Sequence, residues 1–130
     1  MTTIALAKQN VTPRAITYLW EALVADSEDG EPLDLAEFGD AELTVQYVGT
    51  FSSATCTMQG SNDGSTWFTL NTPRLASVDQ SSGAAAYVTA ALAAVGAFTI
   101  LERPRYIRPL LTGEDGSDDV DVLLHIAKAA

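Results

Sequence analysis

The sequence predicts an all-β protein, an antiparallel β-sandwich or jelly roll with one short helical turn. Several segments alternate apolar and polar residues with the period of a strand, and turn-forming clusters separate them at residues 61–65, 71–73 and 113–117. A chain of 130 residues has room for one core of about seven or eight short strands. We expect residues 1–13 to form an N-terminal arm or a first strand, and residues 14–130 to form the sandwich.

The two clearest alternating runs are residues 42–47 and 53–59. Because only a short linker, residues 49–52, separates them, we expect a β-hairpin in which the two strands pair. Phe51 in this linker is expected to fold back over the end of the core.

The remaining strands follow from the same alternation and are predicted at residues 15–23, 67–70, 98–102, 106–111 and 120–127. Pro104 and Pro109 cannot donate ladder hydrogen bonds, so the strand at 106–111 is expected at a sheet edge or paired on one side only. The alanine-rich residues 83–97 are predicted to form a short strand and a helical turn that crosses between the sheets.

Charge excludes one class of partner. Seventeen acidic and seven basic residues give a formal charge of −10, which repels a polyanion, so no nucleic acid is expected to bind. The first residues lack a basic region followed by a long apolar stretch, and residues 84–101 consist largely of alanine. We therefore expect no signal peptide, no lipid anchor and no membrane partner.

Residues suited to catalysis are few. His125 falls on the polar side of the last strand, which favours a solvent-facing or interface role. Cys56 lies mid-strand on an apolar face, where a reactive thiolate is disfavoured, and a single cysteine excludes an intrachain disulfide. The sequence therefore predicts no catalytic residue, no cofactor and no enzyme.

Two acidic clusters, within residues 26–42 and 114–121, are candidates for binding calcium. Neither has the ligand spacing of a helix-loop-helix calcium site. Solvated loops are the favoured interpretation, and no metal site is predicted.

Three of the seven basic residues lie within residues 102–109. One interpretation is that Arg105 and Arg108 neutralise the chain's own loop carboxylates. The other is that they meet an acidic patch on a partner, where a charge-assisted contact fixes register. Arg105, Tyr106 and Arg108 are therefore candidate interface residues.

Trp67 directly follows the turn at residues 61–66 and has two interpretations. It either covers the core or, with Asn62 and Asp63, forms a platform for a ligand. The core is favoured, in which case Trp67→Ala costs about 3–5 kcal/mol of stability.

Residues 45–51, 56–70 and 105–109 together resemble small structural proteins of tailed phages, the capsid decoration or cement proteins. The resemblance runs from about residue 18 to the last strand. It implies a virion protein on the outer surface of the phage head that clamps neighbouring subunits of the major capsid protein. Residues 60–67 are also similar to turns of carbohydrate-binding β-sandwiches, so a carbohydrate-binding module on the virion is one alternative. A tail or head-tail joining protein is another.

The N-terminal residues offer a way to reach a neighbour. Ile4, Leu6 and Val11 are candidate interface residues of an arm that adds to a neighbour's sheet edge, the alternative being an ordinary first strand. Deleting residues 1–10 is then expected to abolish capsid binding and leave a folded monomer. Copies are expected to associate as dimers or trimers that match local capsid symmetry.

Overall fold

The computed structural model describes residues 3–11, 15–24, 28–39, 41–78 and 85–127. These residues form short strands and one 3-10 turn, Ala36–Phe38, which confirms the all-β class and its sandwich architecture. The strands in chain order are β1 Thr3–Ile4, β2 Leu6–Val11, β3 Ala15–Leu23, β4 Glu28–Gly30, β5 Leu33–Asp34, β6 Glu42–Thr50, β7 Thr55–Ser61, β8 Phe68–Thr69, β9 Asn71–Val78, β10 Ala85–Thr89, β11 Ala91–Leu92, β12 Gly96–Thr99, β13 Tyr106–Thr112 and β14 Asp119–Ala127.

Two sheets stack face to face. The seven-stranded sheet has the order β1-β4-β13-β7-β11, with β5 also paired to β13 and β8 to β7. The five-stranded sheet has the order β12-β6-β14-β3-β2. Strands β9 and β10 pair as a separate two-stranded ribbon. The β1–β4 pair is parallel, whereas the other pairs of described strands are antiparallel.

The core fills the space between the two sheets. Strand β14 buries every second residue, and β3 does so as far as Trp20, as their alternation predicts. Trp20 and Tyr47 are the largest fully buried side chains, and the Trp20 indole N–H donates to the Glu31 carbonyl at 2.9 Å. This contact satisfies the polar end of an otherwise apolar side chain.

The predicted hairpin between β6 and β7 is wrong. Strand β6 pairs with β12 and β14, whereas β7 pairs with β13, β8 and β11 in the opposite sheet. The short linker is an arch that crosses the core, and the Asp118 carboxylate holds it by accepting the backbone N–H groups of Ser52 and Ala54. Alternation cannot separate the two cases, because an arch and a hairpin can bury the same residues. Phe51 does pack against the core, 6.2 Å from the Tyr47 ring.

Strand β13 is not at an edge, which corrects the expectation drawn from its prolines. It pairs with β7 on one side and with β4 and β5 on the other. On that second side β5 covers Tyr106 and Ile107, and β4 covers Leu110 and Leu111. The ladder is therefore interrupted beside Pro109, which accommodates a residue without an N–H in an inner strand.

The helical turn lies elsewhere than predicted. The described part of the alanine-rich segment forms β10, β11 and β12, and a bend at residues 93–95 carries the chain from the seven-stranded to the five-stranded sheet. The crossing is thus confirmed but is not helical. Residues 71–73 begin strand β9 instead of forming a turn. The strand tolerates Pro73, which has no N–H, because Pro73 lies where the pairing register with β10 shifts.

The N-terminal segment contributes to both sheets. Strand β1 pairs with β4 of the seven-stranded sheet, and β2 pairs with β3 of the five-stranded sheet. Residues 1, 2, 12 and 13 of the predicted arm lie outside the described residues. Within the single chain the segment forms strands of its own sandwich, and its exchange with a neighbour stays a prediction.

Candidate interaction surface

The outer face of the seven-stranded sheet brings together four of the side chains that the sequence singled out. Along β13, Ile107 and Leu111 enter the core, while Tyr106 and Arg108 lie partly exposed on the other side. Gln59 on β7 is the register partner of Arg108. We name this surface the arginine face, and its members are Asp29, Asp34, Gln59, Trp67, Arg105, Tyr106 and Arg108.

Arg108 lies at the centre of the arginine face and has partners on three sides. Its Nη1 is 2.9 Å from Asp29 Oδ2, and its Nε donates to Gln59 Oε1 at 3.0 Å. Its guanidinium carbon is 4.0 Å from the centroid of the Trp67 ring. The Arg108 and Asp29 side chains are only 18% and 11% exposed. Arg108 therefore neutralises a carboxylate of its own chain, as one of the two interpretations predicted.

Arg105 is also paired within the chain, but at the surface. Its Nε and Nη2 contact the two oxygens of Asp34 at 2.8 and 3.0 Å, which holds the pKa of that carboxyl below its usual range. The two side chains are 50% and 47% exposed. Because exposed pairs contribute little to stability, a partner's carboxylate can replace Asp34 at low cost.

The turn after β7 uses its polar side chains to hold its own backbone. The Asp63 carboxylate accepts two backbone N–H groups, of residues 65 and 66, at 2.8 Å, and the Ser61 hydroxyl at 2.9 Å. These bonds lower the pKa of Asp63 to about 2. Asn62 accepts the Arg105 backbone N–H at 3.1 Å. Asn62 and Asp63, two of the three residues of the predicted platform, therefore hold the backbone of the protein itself.

Trp67 lies outside the buried core, so the favoured interpretation of it as a core residue is wrong. Its side chain is partly exposed and stacks on Arg108 at the outer side of the sheet. The stacked guanidinium also covers part of the ring that a ligand platform needs. Sequence alternation does not reveal this contact, because the contact depends on how β13, β7 and the turn that follows β7 meet in space.

The three candidate residues of the N-terminal segment differ in exposure. Ile4 and Leu6 are partly buried and pack against the core, while Val11 is 65% exposed. Glu31 is hydrogen-bonded to this segment at two places. Its backbone N–H donates to the Ile4 carbonyl at 2.7 Å, and its carboxylate accepts the Leu6 N–H at 3.0 Å. Val11 is thus the member of this set that is most available to a neighbour.

His125 and Cys56 lie where the alternation predicts. His125 is exposed on the outer face of the five-stranded sheet, with Nδ1 3.0 Å from the Thr17 hydroxyl. Cys56 is fully buried, and burial raises the pKa of its thiol to about 12, although the Tyr47 side chain and the Thr57 backbone oppose the shift. The two groups lie on different sheets and form no nucleophile–base pair.

Two of the acidic residues are not solvated loop residues, contrary to expectation. Asp118 is only 3% exposed, and its carboxylate accepts backbone N–H groups of Ser52, Ala54 and Asp115, which lower its pKa. Asp29 is 7% exposed and binds Arg108. Turns that approach the core need acceptors for their N–H groups, and these carboxylates supply them or neutralise a neighbouring charge.

The rest of the acidic clusters provides no built metal site in the described ranges. No group of three or more His, Cys, Asp or Glu side chains there is arranged to hold a metal ion. Asp26 and Asp40, which belong to the first cluster, lie outside the described residues. In the same part of the chain, no helix has the length and apolar character required to span a bilayer.

The sequence of this chain matches no protein-family model and no curated protein. Its fold is similar to the crystal structure of the SPBc2 prophage-derived protein YomS, with a TM-score of 0.56 and 12% sequence identity, over 92% of this chain and 100% of that chain. At this identity, the likeness shows that the two chains share a β-sandwich fold.

Proposed function

We propose that this protein is a structural component of a phage particle. It decorates the outer surface of the capsid and stabilises the shell of major capsid protein, and it acts by protein–protein contact without catalysis. The observation that carries the proposal is the fold shared with a prophage-derived protein over 92% of this chain. The resemblance of three sequence segments to decoration proteins points in the same direction.

Charge supports an outer position. The chain carries a formal charge of −10, and two of its seven cations, Arg105 and Arg108, are paired with its own carboxylates. The negative electrostatic field of the protein repels packaged DNA, which is itself a polyanion. A position on the outside of the shell avoids that repulsion.

The partners of the polar side chains support a structural role over a catalytic one. Cys56 is buried with a raised thiol pKa, and His125 contacts the Thr17 hydroxyl. Asp63 and Asp118 hold backbone N–H groups. Each of these groups contributes to the fold, and their positions suit a scaffold that presents surfaces to other proteins.

The contact with the shell uses the exposed part of the arginine face and the exposed part of the first two strands. Arg105 can exchange Asp34 for a carboxylate of the capsid, and Tyr106 lies beside it with its ring 5.2 Å from the guanidinium carbon. Val11 on β2 offers an exposed apolar contact. Modest contacts of this kind reinforce one another when one molecule bridges two capsid subunits.

The test is reconstitution on expanded empty shells purified from particles that lack this protein. We expect saturable binding, measured by co-sedimentation, and a higher temperature of shell disassembly. Arg105→Ala and Val11→Glu are expected to weaken binding, while Thr44→Glu, which adds a charge at an exposed position of β6, leaves it unchanged. The variants should keep wild-type circular dichroism spectra.

Other binding partners are distinct outcomes of the same work. Failure to bind shells, combined with co-purification of the protein with tails or connectors, contradicts the decoration role and favours a joining component. Binding to sugars that quenches Trp67 fluorescence favours a carbohydrate-binding module, because it shows that Trp67 serves as a ligand platform.

A further inference from the structure

The β9–β10 ribbon is held to the sandwich at its base. The Asn71 backbone N–H and side-chain amide donate to the two oxygens of Glu102 at 2.8 and 2.6 Å, and the Asn71 carbonyl accepts the Leu101 N–H. Beyond this base, β9 and β10 pair with each other, and within the described residues neither is hydrogen-bonded to another strand. A two-stranded ribbon is only marginally stable in water unless another surface covers it.

The ribbon region has no net charge, although the molecule as a whole is acidic. Residues 71–99 contain one cation, Arg74, and one anion, Asp79, so the net charge of −10 is carried entirely by the rest of the chain. Two copies that approach through the acidic parts of the sandwich bring like charges together. Contact through the ribbon keeps the acidic sandwiches apart.

The two strands of the ribbon differ in how their edges are protected. Strand β9 carries Pro73 and Arg74. The pairing register between the two strands shifts twice, and at each shift the additional residues belong to β9, so both bulges lie on that strand. Proline, charge and bulges are the features that prevent edge-to-edge pairing. Strand β10, with the sequence Ala-Ala-Tyr-Val-Thr, has no proline and no charge. Its outer edge is therefore suited to pairing with another strand.

The ribbon also exposes apolar surface. Tyr87 on β10 is 43% exposed. A groove of about 320 Å³ separates the ribbon from β12 and is lined by Val88, Leu92 and Phe98 among others. Burial of this surface would add to the backbone hydrogen bonds of strand pairing.

We propose that a second copy of this chain docks on the ribbon, so that β10 pairs antiparallel with β10 of the other copy about a twofold axis. An antiparallel pair of identical strands satisfies this symmetry, because each strand presents the same edge to the other. The two ribbons then form one continuous four-stranded sheet. The proposal concerns the isolated protein and does not require that it binds a capsid.

The test measures the mass of the full chain by sedimentation equilibrium over a range of concentrations. We expect a monomer–dimer equilibrium that Tyr87→Glu weakens by at least about tenfold, since it places two like charges near the axis. Phe68→Glu is the matched control, because Phe68 is an aromatic residue of similar exposure, 41%, on another strand. It should leave the dimer intact.

Two further measurements test whether the dimer has a twofold axis and whether its contact lies in the net-neutral ribbon. A mixture of the Tyr87→Glu and Tyr87→Lys variants should recover dimerisation, because a twofold contact brings the opposite charges together. Raising the salt concentration should strengthen the wild-type dimer by screening the repulsion between the acidic sandwiches. A wild-type chain that stays monomeric, a dimer insensitive to Tyr87→Glu, or a dimer that salt weakens would each overturn the proposal.

Discussion

Replacing Arg108 tests whether the arginine face is held together by the chain's own contacts. Arg108→Ala removes the ion pair with Asp29, the hydrogen bond to Gln59 and the cation stacked on Trp67. The Asp29 side chain, which is 11% exposed in the intact pair, then loses its cation. The loss of stability should therefore exceed that of removing an ordinary surface charge.

The magnitude follows from the exposure of the two partners. Breaking a buried ion pair costs about 3–5 kcal/mol, while exposed pairs contribute about 0–1 kcal/mol. At 18% and 11% exposure the Arg108–Asp29 pair lies between these cases, and the stacked ring adds about 1 kcal/mol. We expect Arg108→Ala to lower the free energy of unfolding by about 2–3 kcal/mol, which moves a urea midpoint by roughly 1–2 M.

The assay is urea unfolding followed by circular dichroism and by tryptophan fluorescence. Arg105→Ala is the matched control, because its ion pair with Asp34 is half exposed, and it should leave the midpoint nearly unchanged. Adding Asp29→Asn to Arg108→Ala should recover part of the loss, since it removes the uncompensated charge. An Arg108→Ala midpoint equal to that of Arg105→Ala refutes the reasoning.

The other predictions concern single side chains and acid stability. Burial raises the Cys56 pKa to about 12, so a thiol reagent should modify native protein no faster than the chain unfolds; rapid labelling contradicts this. Ala22 has φ 63°, so Ala22→Gly should raise the free energy of unfolding in urea by about 0.5–1 kcal/mol, and a loss of stability contradicts the strain. Asp118→Asn weakens the acceptor that holds the arch and should lower the urea midpoint, whereas Asp119→Asn at the exposed neighbouring position should not. Folding lowers the Asp63 pKa to about 2, so the stability this carboxylate contributes is present above its unfolded pKa of about 4 and is lost as the pH falls towards 2; urea midpoints that stay constant over this interval contradict it.

Local patterns predicted the strands but not their partners. The alternation in β3 and β14 predicted both their positions and their buried faces, and the position of β13 was also predicted, because strand period is a property of neighbouring residues. Pairing depends on contacts between distant segments. For this reason the β6–β7 linker was predicted as a hairpin although it is an arch, and β13 was predicted at an edge although it has neighbours on both sides.

The arginine face shows the same division. Its residue types identified Arg105, Tyr106 and Arg108 as interface candidates, but the partners of Arg108 depend on the register of β13 against β7 and on the course of β4. No local pattern indicates that Asp118 is buried, since an aspartate in a loop rich in glycine and acidic residues is usually solvated. Its role follows from the crossing of the β6–β7 arch, which brings unpaired N–H groups to its carboxylate.

The most direct test of the proposed role is a cryo-electron microscopy reconstruction of the phage particles that carry this protein, at a resolution that distinguishes strands. The account predicts density for the two-sheet sandwich on the outer surface of the head, bridging adjacent subunits of the major capsid protein. Density for the chain inside the shell against the genome, or confined to the tail, would contradict it.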